Sequence, residues 1–233
     1  SAVGGLVIIR KGMTGCMTVD AAPKNPNPSK TPLGAAERQR DDPRADNRLP
    51  ELLDAAARLF ARHGYAATSM RDIALETKML SGSLYYHFPS KDELLLAVYA
   101  AGVKELEKAT SVALAKVSDP WLRLEMLCRT HLETVLRDSD YAQVLIRVLP
   151  SDIPSAADRL RDLRSSYEKV FRDVVAELPL PTGTDRRALR LMLIGSLNWA
   201  TLWFDPQGRD SPRVLARKFV GLIKETQNGR SSA

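Results

Sequence analysis

The chain has 233 residues, of which 44% are apolar and 6% aromatic, and a net charge of +6. This length suits one large domain, or a small domain joined to a larger one, with an aliphatic core. No apolar run reaches 18 residues, which argues against a membrane span. Two widely separated cysteines, Cys16 and Cys128, argue against a disulfide framework and fit a cytoplasmic location.

Residues 1–46 form a polar, proline-punctuated segment that predicts a disordered tail. From Arg48 onward apolar residues recur at helical spacing without alternating strand patterns, which predicts an all-α fold of about nine helices. Residues 48–95 hold six basic and six acidic side chains, whereas residues 151–233 hold 14 and 10. The basic excess therefore does not locate the function.

The first predicted helix covers residues 49–63. Leu52, Leu59 and Phe60 lie on one face of it. Gly64 follows, a residue that tolerates the left-handed conformation needed at a helix end. The spacing therefore predicts an amphipathic helix with a defined stop.

Two short helices follow in close succession. The second helix begins at Thr68 or Ser69 and ends near Thr77, and Ser69 and Asp72 have the spacing of a capping box. A third helix covers about 81–87, after a connection of three or four residues. Two short helices joined so tightly cross steeply, which is the geometry of a helix-turn-helix.

Capping residues and prolines set off the remaining helices. We predict helices from Ser90 to about residue 117, from Asp119-Pro120 onward, over 141–149, 156–178 and 184–204, and from Ser211-Pro212 onward.

An ordered set of residues between 55 and 94 carries a family resemblance. The set is Ala55-Ala56, Leu59-Phe60, Gly64-Tyr65, Thr68, Ile73-Ala74, Gly82 to Phe88, Ser90-Lys91 and Leu94. It resembles the DNA-binding half of the tetracycline-repressor (TetR) family. The resemblance implies a helix-turn-helix DNA-binding domain over 47–95 and a larger helical ligand-binding and dimerisation domain over 96–228. Lys78 and Leu80 depart from the family pattern, which has glycine and a small polar residue there.

The resemblance also implies a set of DNA-contacting residues around the second and third helices. They are Ser69, Arg71, Lys78, Ser81, Gly82, Ser83, Tyr85, Tyr86, His87 and Lys91. Hydroxyl groups and Lys91 would hold phosphates, whereas Arg71 and the start of the third helix would read bases. The alternative for these side chains is an ordinary packing or solvated surface role.

The predicted helix over 184–204 is apolar almost all round, so it should be buried on more than one face. The last helix adds a second apolar stripe. Together they predict a homodimer interface built from two helices of each subunit, with burial inside one monomer as the alternative. The interface candidates are Leu191, Gly195, Ser196, Trp199, Leu215, Phe219 and Leu222.

The middle helices are rich in Leu, Val and Met, and arginines cluster at 159–164 and 186–190. An apolar cavity edged by arginines would suit an amphipathic anion, of which an acyl-CoA thioester is one example. The effector-binding candidates are Met126, Trp199, Trp203, Arg186 and Arg187. The alternative is that the arginines only solvate exposed helix faces.

Other function classes have weaker support. Cys128 and His131 are three residues apart, but without a second pair they favour a core thiol and a hydrogen-bonded imidazole over a metal site. Neither paired carboxylates nor a nucleophile with a base supports a small helical enzyme, and no cofactor is expected. The balanced charge of 48–95 argues against a non-specific architectural DNA-binding protein. We therefore expect a repressor that a small molecule releases from an inverted repeat in double-stranded DNA.

Overall fold

The computed structural model of the protein describes residues 48–137 and 139–228, so the tail expected over 1–46 lies outside the described residues. Within these ranges the chain forms nine α-helices and no strand, which confirms the all-α prediction. The helices are α1 (Leu49–His63), α2 (Met70–Glu76), α3 (Ser81–His87), α4 (Lys91–Leu114), α5 (Pro120–Val135), α6 (Asp140–Arg147), α7 (Ala157–Glu177), α8 (Arg186–Trp203) and α9 (Pro212–Asn228).

Most helix starts follow the predicted caps. The Ser69 hydroxyl accepts a hydrogen bond from the Asp72 amide, and the Asp72 carboxylate accepts one from the Ser69 amide, which completes the capping box of α2. α8 begins two residues later than predicted, because Asp185 is its cap and accepts a hydrogen bond from the Ala188 amide at 2.9 Å. α6 ends at Arg147, two residues before its predicted end.

The first three helices pack around a small core of their own. Leu52, Phe60, Ile73 and Leu84 are at most 2% exposed there. Burying each of these side chains contributes about 1.5–3 kcal/mol to the stability of the fold. We call these three helices, residues 49–87, the head, and the helices from residue 91 onward the body. α1 also packs against α4 and α6, so two helices of the body hold the head.

The body is organised around α5, which contacts α4, α7, α8 and α9. Its buried face carries Leu124, Leu127, Cys128 and Leu132, each fully shielded from solvent. α4 runs through residues 95 and 96, where the sequence predicts a domain boundary, so a single helix belongs to both parts. None of the described helices combines the length and apolar character needed to cross a bilayer.

Candidate functional site

The turn between α2 and α3 has a defined geometry. The Lys78 amide donates to the Leu75 carbonyl at 3.1 Å, and the Met79 amide donates to the Ala74 carbonyl at 2.9 Å. This is the Schellman pattern, which requires a left-handed residue after the helix end. Lys78 occupies that position with φ 53°, where glycine would be free of strain. The lysine therefore adopts the usual turn at a conformational cost.

Most of the predicted DNA-contacting residues are exposed to solvent on α2, α3 and the turns beside them. The exposed members are Ser69, Arg71, Lys78, Ser81, Gly82, Ser83, Tyr85 and Tyr86. His87 is half-buried, and its ring meets that of Tyr86 edge-on. The arrangement leaves the start of α3 open to solvent, as entry into a major groove requires.

Two of the residues predicted to contact DNA also make hydrogen bonds within the subunit. The Lys91 ammonium donates to the carbonyls of Tyr65 and Thr68 at 2.8 and 2.9 Å and lies 4.1 Å from the centre of the Tyr65 ring. The Ser69 hydroxyl donates to the Asp72 carboxylate at 2.6 Å. Lys91 thus secures the α1–α2 loop and Ser69 caps α2 within the subunit, and their phosphate contacts stay predictions.

α6 is bound to α1 by two polar contacts that the sequence did not reveal. The Tyr141 hydroxyl donates to the Asp54 carboxylate at 2.8 Å, and the Arg147 guanidinium donates to the Ala61 carbonyl at 3.0 Å. These contacts span 86 or more residues along the chain, so no local motif could have indicated them. They fix the head to a short helix of the body.

A second set of contacts joins the start of α4 to α7 and the turn before it. The Asp92 carboxylate accepts hydrogen bonds from the hydroxyls of Ser155 and Tyr65, and Arg159 pairs with Glu93. The hydrogen bonds from Ser155 and then Tyr65 hold the pKa of Asp92 below its usual range. The head is therefore held to the body from two sides.

The body contains a small pocket of about 60 Å³ that is partly open to solvent. Its apolar lining comes from α4, α5, α6 and α8, and its polar lining comes from α4, α5, α7 and α8. The lining residues are Tyr99, Val103, Leu106, His131, Val135, Leu145, Ile146, Arg164, Tyr167, Glu168, Ile194 and Asn198. A cavity that binds benzene measures about 150 Å³, so this one is too small to hold a ligand of that size.

His131 forms the centre of a polar chain in the cavity wall. Its Nδ1 lies 3.0 Å from the Tyr167 hydroxyl, and its Nε2 lies 3.0 Å from the Asn198 side-chain oxygen. A neutral imidazole satisfies both, because Nε2–H donates to Asn198 and Nδ1 accepts from Tyr167. Burial lowers the pKa of His131 to about 4, against the smaller opposing effect of the Asn198 hydrogen bond.

The cysteine near His131 is a core residue. Burial raises the pKa of the Cys128 thiol to about 12, so the thiol stays protonated at neutral pH. In the part of the chain that the structure describes, no group of three or more His, Cys, Asp or Glu residues is arranged to hold a metal ion.

The predicted effector residues are not the ones that line the cavity. Met126, Trp199, Trp203, Arg186 and Arg187 are all absent from its wall. The Arg186 guanidinium donates to the carbonyls of Val175 and Leu178 at the end of α7, and both tryptophans are exposed. These five residues therefore do not line this cavity, and their role in effector binding stays a prediction.

Arg164 is the arginine that reaches the cavity. Its Nη1 atom is buried and has no hydrogen-bond partner among the described residues. By contrast Arg161 pairs with Asp158, and Arg190 pairs with Glu168 at 2.7 Å. Arg164 belongs to the arginine cluster at 159–164, and the sequence does not separate it from its neighbours, because which arginine points inward depends on the packing of α7.

α8 and α9 leave an apolar face uncovered. A groove of about 510 Å³ lies between them, lined in part by Met192, Phe219 and Leu222. The exposed apolar side chains of these helices are Leu191, Met192, Trp199, Leu202, Trp203 and Leu222. Gly195 and Ser196 are also exposed. The expectation for Leu215 needs correction, because this side chain is 4% exposed and belongs to the core of its own subunit.

Comparisons with known proteins agree with this architecture. Residues 52–98 match the bacterial regulatory proteins of the tetR family, and residues 117–226 match the tetracyclin repressor-like C-terminal domain. The HTH-type transcriptional repressor KstR2 of Rhodococcus jostii (strain RHA1) is 29% identical over 184 residues, which is 76% of this chain and 89% of that protein.

Two solved structures have a similar fold. AibR in complex with isovaleryl coenzyme A and operator DNA has a TM-score of 0.65 at 24% identity, over 75% of this chain and 97% of AibR. The superantigen PfiT has a TM-score of 0.65 at 30% identity, over 74% of this chain and 93% of PfiT. The two family matches together span the head and the body. The match over residues 52–98 covers the exposed helix-turn-helix. The chain therefore belongs to the TetR family of DNA-binding transcriptional regulators.

Proposed function

We propose that this protein is a homodimeric repressor that binds an inverted repeat in double-stranded DNA and is released from it by a small molecule. The observation that carries the proposal is the position of α6. This helix lines the cavity with Leu145 and Ile146 and holds α1 of the head through Tyr141 and Arg147. Any change at the cavity that moves α6 therefore acts on the head.

The size of the cavity supports release by an effector. A space of about 60 Å³ cannot accept a drug-sized molecule unless its walls move apart. α6 is the shortest helix of the wall, and the 3-10 turns Pro150–Asp152 and Pro154–Ala156 follow it. An effector in the cavity would favour a conformation in which α6 is displaced. The more tightly the effector binds this conformation than the one with α6 in place, the larger the fraction of protein that adopts it.

The chemistry of the wall favours an amphipathic anion as effector. Aliphatic side chains such as Val103, Leu106 and Ile194 would accept an apolar body. The buried Nη1 of Arg164, which makes no hydrogen bond to the described residues, would donate a charge-assisted hydrogen bond to a carboxylate or phosphate of the effector. An acyl-CoA thioester remains one member of this class.

The uncovered face of α8 and α9 supports a homodimer. Trp199 and Leu202 are 65% and 68% exposed, and large apolar patches of this kind usually mark an interaction surface. A second copy would bring two α3 helices to one side of the assembly. Their separation should be about 34–36 Å or a little more, which matches half-sites one DNA turn apart. Since the target is chromosomal DNA, the proposed location is the cytoplasm.

The decisive experiment recovers the DNA that the full-length protein binds in its own genome and footprints the recovered sites. A repressor of this kind protects an inverted repeat at a defined position, and its removal raises transcription of the adjacent gene. Protection that follows no defined sequence would favour an architectural DNA-binding protein. Failure to bind any DNA would contradict the proposal and reopen the small helical enzyme.

The effector class has its own test. We would screen fatty acids, acyl-CoA thioesters, flavonoids and cationic drugs for a rise in melting temperature, then for release of the operator. Arg164→Gln should raise the concentration of anion needed for release, with operator affinity unchanged. Arg161→Gln is the matched control, because Arg161 lies on the same helix, is exposed and pairs with Asp158. Release by neutral or cationic compounds alone would contradict the anion assignment.

A further inference from the structure

Leu80 is the most exposed large apolar side chain in the described ranges, at 83%. It is the residue that caps the start of α3, in extended conformation with φ −69° and ψ 139°. Its carbonyl accepts hydrogen bonds from the amides of Ser83 and Leu84 at 2.9 and 3.2 Å. The backbone of Leu80 is therefore held by the helix while its side chain projects into solvent.

The stability of the monomer does not account for a leucine at this position. Ser69 caps α2 and Ser90 caps α4 through side-chain oxygens, whereas α3 has no side-chain cap. Serine, threonine, aspartate or asparagine at such a position typically stabilises a helix by about 1 kcal/mol. Leu80 forgoes this stabilisation and leaves an apolar side chain in water, so its benefit must arise in a complex.

The position of Leu80 identifies what it would meet there. α3 is the second helix of the helix-turn-helix, whose beginning enters the major groove. Ser81 and Ser83, the next exposed side chains, can hydrogen-bond to phosphates or base edges. The apolar group that base pairs present in the major groove is the C5-methyl of thymine.

We propose that Leu80 is a specificity-determining residue that packs against the C5-methyl group of one thymine in each operator half-site. The inference rests on the proposed function, because it requires a defined operator. It goes further in assigning a base preference to a residue that departs from the family pattern. Two symmetry-related thymines should therefore occur in the inverted repeat, one beneath each Leu80.

The test is a methyl-deletion scan of the operator bound by the full-length dimer. After the operator has been selected with the wild-type protein, each thymine is replaced in turn by deoxyuridine, which lacks only the C5-methyl. We expect one symmetric pair of positions at which deoxyuridine weakens wild-type binding, by about fourfold per half-site and about 15-fold for the pair. Leu80→Ala should bind the thymine and deoxyuridine operators equally well.

Two further variants make the result specific. Leu75→Ala removes another exposed leucine, 68% accessible on α2, and should keep the wild-type deoxyuridine profile. Leu80→Ser should lose the thymine preference yet raise the melting temperature, because serine restores a helix cap.

Different results would contradict the proposed function and the thymine contact of Leu80. If the protein selects no DNA sequence, the proposed function fails and the role of Leu80 fails with it. If an operator is selected but Leu80→Ala shows the same deoxyuridine profile as the wild type at every position, only the thymine contact is overturned.

Discussion

The Tyr141 hydroxyl on α6 donates a 2.8 Å hydrogen bond to the Asp54 carboxylate on α1, 87 residues earlier in the chain. The bond joins the wall of the cavity to the DNA-binding head. Burial, followed by the hydrogen bond to Asp54, raises the pKa of Tyr141, so the hydroxyl stays protonated and keeps donating at any physiological pH.

Removing this hydrogen bond should loosen the head without unfolding the protein. Tyr141→Phe keeps the ring and deletes the donor, at an expected cost of about 1 kcal/mol in unfolding free energy. We expect operator affinity to fall several-fold, because the head samples more orientations before binding. Fluorescence anisotropy on the operator measures this. Ser166→Ala is the control, since Ser166 joins α7 to Glu107 on α4 by a 3.0 Å hydrogen bond that does not involve the head. Equal effects of the two substitutions would contradict a coupling role.

Gly102 provides a second way to displace α6. A Cβ added at this residue of α4 would lie 3.2 Å from both Cγ and Cδ1 of Leu145 and 3.4 Å from Cβ of Tyr141. Gly102→Ala should therefore push α6 outward and lower operator affinity in the absence of any effector. The double variant Gly102→Ala, Leu145→Ala should recover affinity, because the side chain that the new methyl meets is gone. If Gly102→Ala alone bound the operator as tightly as the wild type, α6 would tolerate the shift and the prediction would be contradicted.

Local features of the fold could be predicted from the sequence, whereas features that depend on packing could not. The capping box of Ser69 and the proline start of α5 depend on residues within one helical turn, so their prediction succeeded. The inward position of Arg164 and the burial of Leu215 depend on how α7 and α9 rotate against the body. Periodicity marks an apolar stripe but does not say whether the same subunit or a partner covers it.

Lys78 allows stability and DNA affinity to be separated. Lys78→Gly should raise unfolding free energy by about 1 kcal/mol, because glycine adopts the left-handed turn without strain. Lys78→Ala retains the strain and should leave stability nearly unchanged. If Lys78 contacts a phosphate, both variants should bind the operator more weakly and show a salt slope smaller by about one unit per subunit. Urea unfolding and salt titrations measure the two effects separately.

His131 should make stability depend on pH. Its folded pKa of about 4 lies below the usual 6.5, so the unfolded chain binds more protons between these values. Stability is therefore fully present above pH 6.5 and is lost as pH falls toward 4. The loss from this residue between pH 7 and pH 5 should be about 2 kcal/mol. His131→Gln, which cannot titrate, should reduce the pH dependence of the unfolding free energy, measured by urea titration, by that amount. An unchanged pH dependence would mean that the imidazole is protonated as easily in the fold as outside it.

Gly195 tests the assembly because the monomer itself tolerates a larger side chain there. A Cβ at this residue would meet no atom within 4 Å in its own subunit, so Gly195→Leu should fold normally. If α8 packs against α8 of a second copy, the leucine should keep the helices apart and abolish dimerisation. Operator binding should fall with it, because a single head contacts one half-site only. Sedimentation and operator titration of the same preparation measure both, and circular dichroism checks the fold. A wild-type protein that sediments as a monomer yet binds the full operator tightly would contradict the dimer, as would a Gly195→Leu variant that remains dimeric with unchanged affinity.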